Sequence, residues 1–185
     1  MRFITKQPSD SYFQFNNQEN WKEVEIFSKK HNLIKGALIG IVITIVIANV
    51  VKLLPSYSNY EFEVFKNFIL FMTILLTHEL IHALCLPKPS EAIYGFIPKK
   101  FIFFVTTDKE LTSLRLKTAL LMPTVLLSII PLLISMFVKS DLLLNIALLN
   151  LIGSGVDILH FTYILKYKKN IKFKFSQSGL YYCNT

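Results

Sequence analysis

The segment that most constrains this chain is His78-Glu79-Leu80-Ile81-His82, which lies inside a long apolar run. On a helix, residues four positions apart lie one turn apart on the same face, so His78 and His82 can bind one metal ion. Glu79 then lies beside that ion, where it can act as the general base for a water molecule. The pattern is typical of zinc hydrolases, which add a third protein ligand and keep one position for water.

Composition indicates that this motif lies in a membrane-embedded domain. The chain has 185 residues, of which 52% are hydrophobic and 16 are phenylalanine, and its mean hydropathy is +0.47. This is too apolar for a soluble domain of this size. The net charge of +8 comes from basic residues beside apolar runs, which favours contact with anionic lipid over binding of nucleic acid. Two cysteines give no disulfide framework.

Four apolar segments predict an all-α polytopic membrane protein with a small β-hairpin on its cytoplasmic side. Each segment is long enough to cross a hydrocarbon core of about 30 Å. The predicted spans are residues 33–54, 64–86, 118–138 and 142–165. Residues 1–32 form an N-terminal segment without a signal peptide, in which residues 12–30 are either a short surface helix or a loosely ordered tail. Residues 166–185 form a basic tail, with a short strand or interfacial anchor near 171–175.

The loop 87–117 is predicted to contain the hairpin. The runs 92–97 and 101–106 are rich in aromatic and β-branched residues and flank Pro98-Lys99-Lys100. Such a hairpin against the membrane face either offers an edge strand to an extended peptide or caps the helix bundle.

Glycines and prolines predict how the spans pack. Gly36 and Gly40 have the spacing of small residues at a helix contact, for which packing within the chain is favoured over dimerisation. Gly153 and Gly155 loosen the fourth span near Asp157, where another helix, a substrate or the metal ion can then come close. Prolines within the third span predict kinks or local unwinding.

Charge predicts the topology of the chain. The N-terminal segment carries five Lys or Arg, the loop 87–117 six and the tail five, whereas the other two loops carry none and one. By the positive-inside rule, both termini and the hairpin loop are cytoplasmic, in a protein integral to the cell membrane.

Asp157 is the predicted third metal ligand. Only Glu79 and Asp157 among the acidic residues fall well inside a span, where an unpaired charge costs about 3 kcal/mol or more. Asp157 and His78 each lie eight residues before the cytoplasmic end of their span, so both are about 12 Å deep. Alternatively, Asp157 pairs with a lysine, accepts from hydroxyl groups or is protonated.

Three further polar residues lie within reach of this depth. His160 is a competing ligand, a hydrogen-bond donor to Asp157 or a packed interfacial residue. Asn150 orients a substrate, braces a ligand or joins two helices. Cys85 is either a thiolate ligand or a small buried apolar residue.

Three sequence segments carry a resemblance to a known family. They are residues 77–83 around the histidines, Leu121-Met122-Pro123, and residues 150–157, which end in Ser154-Gly155-Val156-Asp157. Over residues 64–165 the chain resembles the zincin peptidase family of small multi-spanning membrane proteins, which is similar in layout to intramembrane metalloproteases of the site-2 protease type. The resemblance implies a zinc ion held by His78, His82 and Asp157, with Glu79 as catalytic base.

The expected function is therefore hydrolysis of peptide bonds by a zinc-activated water. The expected substrate is a membrane-anchored peptide or protein cut near the cytoplasmic boundary, and the expected surroundings are the lipid bilayer. Two alternatives use the same residues: a protein that binds or transports divalent cations, and a catalytically silent membrane scaffold.

Overall fold

The computed structural model describes residues 2–5, 8, 12–13, 20–28, 30–62, 67–88, 91–98, 102–176 and 179–184. Within these residues the protein is mostly helical. The helices are α1 (Glu25–Ser28), α2 (Lys30–Lys52), α3 (Phe68–Cys85), α4 (Ser113–Thr124), α5 (Ile130–Val138) and α6 (Asp141–Ile164). The strands are β1 (Arg2–Ile4), β2 (Lys22–Glu23), β3 (Ile93–Ile97), β4 (Ile102–Thr106), β5 (Leu111–Thr112), β6 (Ile171–Phe175) and β7 (Leu180–Asn184).

Four helical stretches among the described residues are long and apolar enough to cross a membrane. They are His31–Lys52, Phe68–Cys85, Ser113–Val138 and Asp141–Ile164. Large apolar side chains remain exposed along them, including those of Leu38, Val42 and Ile45 on α2. A contiguous apolar surface of this extent is unfavourable in water and favourable in lipid.

The third of these stretches begins at Ser113, five residues before the predicted start at 118. Thr112 adopts an extended backbone, and its hydroxyl accepts the backbone N–H of Arg115 at 3.3 Å. This side chain therefore caps the first turn of α4, and the helix includes Arg115 and Lys117 although the sequence analysis assigned them to the loop.

The local unwinding predicted for the third span takes the form of one π-helical turn, which is wider than an α-helical turn. Pro123 lies inside α4, and residues Val125–Ile129 form a π-helical turn that connects α4 to α5. Pro131 lies in the first turn of α5, where its missing N–H costs no helical hydrogen bond within α5. The helix therefore continues through both prolines with a change of pitch between them.

The strands form two sheets, so an all-α protein with one small hairpin is an incomplete description of the fold. The predicted hairpin is confirmed by the antiparallel pairing of β3 with β4, and β1 adds to it in parallel. The tip of the hairpin at residues 99–101 lies outside the described residues. The second sheet has the order β2-β7-β6-β5 and contains the strand expected near 171–175.

These sheets join three segments that are far apart in the sequence. β1 and β2 come from the N-terminal segment, β3 to β5 from the loop between α3 and α4, and β6 and β7 from the C-terminal segment. Since paired strands are neighbours, all three basic segments lie at the same end of the helices. The charge pattern had grouped the same three segments together.

Close packing of α2 against α6 aligns the fourth span. A Cβ atom added to Gly155 would collide with the Gly36 carbonyl oxygen and with the Gly40 backbone. Gly36 and Gly40 therefore serve packing within the chain, in agreement with the favoured prediction for this pair. The contact leaves another face of α6 directed at α3 and α4.

Candidate metal centre

Three polar atoms from two helices converge at the junction of α3 and α6. The Nε2 atom of His78 lies 2.8 Å from Oδ2 of Asp157, and the Nε2 atom of His82 lies 3.2 Å from the same oxygen. The two Nε2 atoms are 3.0 Å apart. Helical spacing places both imidazoles on one face of α3, and the equal depth of Asp157 on α6 brings its carboxylate to them.

The opposite nitrogen of each histidine makes a hydrogen bond that determines its protonation. Nδ1 of His78 lies 2.8 Å from Oδ1 of Asn150, and Nδ1 of His82 lies 2.8 Å from the carbonyl oxygen of Ala119. Both partners are acceptors, so each Nδ1 carries the proton and donates it. In the neutral histidine, Nε2 then has no proton and presents a lone pair.

The amide of Asn150 is oriented by three further contacts. Its Nδ2 atom has two N–H groups that three acceptors share: the Pro123 carbonyl at 3.2 Å, the Ser128 hydroxyl at 2.7 Å and the Ser154 hydroxyl at 3.0 Å. A carbonyl oxygen only accepts, so the NH₂ group must face Pro123 and Oδ1 must face His78. The side chain is buried, and all of its polar atoms have partners.

The donor set fits a divalent metal ion. Two neutral histidines in these tautomers direct Nε2 lone pairs at each other and at the Asp157 carboxylate, which is repulsive unless a metal ion or a proton lies between them. Doubly protonated histidines would instead place two positive charges with their Nε2 atoms 3.0 Å apart. A tetrahedral zinc with ligands at about 2.05 Å separates its ligand atoms by about 3.3 Å, slightly more than the 2.8, 3.0 and 3.2 Å observed.

Glu79 lies beside this set of atoms. One of its carboxylate oxygens and the ligand atoms of His78 and His82 all lie within 4.8 Å of one another. Asp157 is nearer to both histidines, so the geometry favours Asp157 as the third ligand and leaves Glu79 next to the site. This is the separation of roles that a ligand and a general base require.

A cavity of about 260 Å³ opens onto the site. Glu79, His82 and Asp157 line one part of it, and residues 103–105 of β4 line another. His78 is only 4% exposed and lies behind them. A substrate in this cavity can therefore reach the base and two of the three candidate ligands without displacing a helix.

Comparison with known protein families identifies a match. A family model described as "putative zincin peptidase" matches residues 69–172, which is more than half of the chain. The chain belongs to this family. No curated protein and no solved structure matches it. Membership of the zincin family supports a zinc-dependent metallopeptidase, and the matched range includes every candidate ligand.

The remaining sequence candidates of this zincin-family chain have distinct positions. His160 lines the cavity, and its ring stacks on that of Phe27 with centroids 3.9 Å apart, the contact expected of a packed residue. Asn150 of α6 contacts His78 of α3 and Pro123 of α4, which agrees both with bracing a ligand and with joining helices. Cys85 lines a different cavity with Arg115 and Thr118.

Arg115 holds the end of the helix that carries both histidines. Its guanidinium donates from Nε to the Cys85 carbonyl and from Nη2 to the Leu86 carbonyl, both at 2.8 Å. These carbonyls belong to the last turn of α3, where no helical N–H is available to them. The sequence did not predict this contact, because Arg115 and the end of α3 are adjacent only after α3 and α4 have packed.

Tyr94 is a further residue near Glu79 that the sequence analysis missed. Its hydroxyl donates to the Leu76 carbonyl of α3 at 3.0 Å. Burial, and after it the charge of Glu79, raise the pKa of Tyr94 to about 12, so the hydroxyl stays protonated at neutral pH. The contact ties β3 to the helix that carries the motif, and no local sequence signal marks it.

Proposed function

We propose that the protein is an intramembrane zinc metallopeptidase that hydrolyses peptide bonds of membrane-associated substrates. The observation that carries the proposal is the convergence of the Nε2 atoms of His78 and His82 with a carboxylate oxygen of Asp157, while both Nδ1 protons are held by other groups. Membership of the zincin peptidase family supports the same reaction class.

His78, His82 and Asp157 would hold the zinc ion. When bound, zinc polarises the scissile carbonyl and lowers the pKa of a water molecule. The hydrogen bonds from Nδ1 to Asn150 and Ala119 keep both imidazoles in the ligand tautomer.

Glu79 acts as the proton carrier in this proposal. Its carboxylate accepts a proton from the attacking water and delivers it to the leaving amine. Its position on the cavity wall beside His82 and Asp157 supports this role, since a general base must reach both water and substrate.

The proposed location is the cell membrane, with both termini and the hairpin loop in the cytoplasm. The four long apolar helices support integration into a bilayer, and the two sheets support a common side for the three basic segments. An excess of Lys and Arg is typical of the cytoplasmic side.

The proposed substrate is a membrane-anchored peptide or protein that is extended along β4. In the described part of the first sheet, β4 pairs only with β3 and is an edge strand. Residues 103–105 of β4 also line the cavity, so a peptide paired with this edge would pass beside Glu79. Pairing of this kind holds a substrate unwound, which exposes the carbonyl to be attacked.

Purified variants test the proposal through zinc content and cleavage of a panel of single-span membrane peptides. We expect about one zinc per chain in the wild type, loss of zinc in His78→Ala and retention of zinc without cleavage in Glu79→Gln. His31→Ala is the histidine control and Glu61→Gln the glutamate control, because both residues are exposed and lie outside the site.

Three results would contradict the proposal. Absence of zinc from folded wild-type protein would refute the proposed metal site. Full cleavage by Glu79→Gln would refute the assignment of Glu79 as the general base. Zinc binding accompanied by zinc flux into vesicles, without cleavage, would identify a transporter instead.

A further inference from the structure

Pro123 is the only residue of the α4 helix that has no backbone N–H. In an α-helix, the N–H of residue 123 would donate to the carbonyl of residue 119, four positions earlier. Proline therefore leaves the Ala119 carbonyl without this helical partner. A freed carbonyl inside a protein needs another donor.

The donor that reaches the Ala119 carbonyl is Nδ1 of His82, at 2.8 Å. This bond is the one that keeps the proton on Nδ1 and the lone pair of Nε2 toward Asp157 and His78. A residue with an N–H at position 123 would compete with His82 for the same oxygen.

A second route leads from Pro123 to His78. The Pro123 carbonyl accepts from Nδ2 of Asn150 at 3.2 Å, and Oδ1 of that amide accepts the proton of His78 Nδ1. The π-helical turn that begins at Val125 also carries Ser128, whose hydroxyl lies 2.7 Å from the same Nδ2 atom. Both outward hydrogen bonds of the histidine pair thus depend on the helix around this proline.

We infer that Pro123 is a positioning residue of the metal centre: its missing N–H frees the Ala119 carbonyl for His82, and its own carbonyl orients Asn150 toward His78. The inference rests on the proposed metal site. Pro123 touches neither substrate nor metal in this account, and it acts through the tautomers of the two histidines.

Pro131 provides the matched control. It lies in the same helical stretch and is also buried, but none of the described hydrogen bonds that hold His78, His82 or Asn150 involves it or the carbonyl four residues before it. A proline-to-alanine change at this position alters the same helix without supplying a competitor for His82.

The first experiment compares zinc affinity of the wild type, Pro123→Ala and Pro131→Ala by competition with a chelator in detergent. Loss of hydrogen bonds that orient ligands weakens metal binding by about 10- to 100-fold, and we expect a loss of this size for Pro123→Ala alone. Equal zinc affinity in wild type and Pro123→Ala, in folded protein, would overturn the inference while leaving the proposed function intact. Wild-type protein that binds no zinc would overturn the proposed function instead.

The second experiment reads the tautomers directly. Zinc-free protein labelled with ¹⁵N-histidine contains four histidines, whose ring nitrogen shifts report which nitrogen carries the proton. We expect His82 to carry it on Nδ1 in the wild type and in Pro131→Ala, and to lose this preference in Pro123→Ala. An unprotonated Nδ1 on wild-type His82 would overturn the inference even if Pro123→Ala failed to fold, and a purely structural proline would leave the tautomer unchanged.

Discussion

Helix α6 packs through two faces that are built in opposite ways. Toward α2 it presents Gly155, so close to Gly36 and Gly40 that backbone meets backbone. Toward α3 and α4 it presents Asn150, which contacts His78 and Pro123, and Asp157, whose Oδ2 atom contacts the histidines. Packing on the α2 face depends on close fit alone. Packing on the α3 and α4 face depends on hydrogen-bond partners as well as on fit.

The difference between these two faces of α6 indicates that different residues maintain the fold and form the candidate metal site. Contact through glycines holds α6 in place without any group that could bind a metal. The polar face is then free to carry a buried carboxylate, which would be unfavourable if α6 could shift away from the histidines. Substitutions on the glycine face should therefore change stability first, and substitutions on the polar face should change metal affinity first.

The largest expected effect follows removal of the carboxylate on the polar face. Asp157→Ala removes the carboxylate nearest to the two histidines, so we expect zinc affinity to fall by more than about 100-fold. Chelator competition measures the change. Asp141→Asn, in the first turn of the same helix, is the control and should bind zinc as the wild type does. Undiminished affinity in Asp157→Ala would mean that another residue completes the site.

A smaller effect is expected from the residue that braces His78. Asn150→Leu introduces an apolar side chain of similar size and removes the acceptor for His78 Nδ1, so zinc affinity should fall by about 10- to 100-fold. The same substitution at Asn49, which is exposed on α2, should leave zinc affinity unchanged. Equal affinities for both variants would show that the tautomer of His78 does not depend on Asn150.

On the glycine face, Gly155→Ala should destabilise the fold by about 1 to 3 kcal/mol, because its Cβ would overlap backbone atoms of α2. Gly153→Ala is a matched control on the same helix, since its Cβ would meet only a flexible methyl group of Leu75 at 3.3 Å. Both variants gain the same helix propensity, so the difference between their unfolding free energies in detergent isolates the overlap. A difference near zero would refute the backbone contact.

The smallest effect is expected at Ser154, which shares the amide of Asn150 with two other acceptors. Ser154→Ala removes one of three partners of Nδ2, and Ser128 and Pro123 remain. We therefore expect zinc affinity to fall by less than about tenfold, and less than in Asn150→Leu. The reverse order of the two variants would mean that Ser154 orients Asn150 by itself.

The sequence predicted those parts of the fold and site that depend on local spacing or depth. Four apolar segments indicated four long helices, and the hairpin followed from two β-rich runs around a turn. The contact of Asp157 with the histidines followed from equal distance to the same end of the bundle. The ligand roles of these residues remain predictions.

The features that the sequence did not predict depend on contacts between segments that are far apart in the chain. β2 pairs with β7 from the other end of the chain, and two-residue strands have no period that a sequence window can detect. The acceptor for His82 is a backbone carbonyl, which any residue type supplies, so the side chain of Ala119 gives no hint of it. Pro123 was the one sequence feature that pointed to this acceptor, because a proline inside a helix leaves the carbonyl four residues earlier without its helical hydrogen bond.

The most direct test of the central claim is zinc K-edge X-ray absorption of purified wild-type protein. A site formed by His78, His82 and Asp157 predicts only nitrogen and oxygen neighbours at about 2.0 to 2.2 Å, with the outer scattering of two imidazole rings. A sulfur neighbour at about 2.3 Å would show that a cysteine such as Cys85 binds the metal. Scattering from a single imidazole would show that one of the two histidines is not a ligand. Either result would contradict the site proposed for α3 and α6.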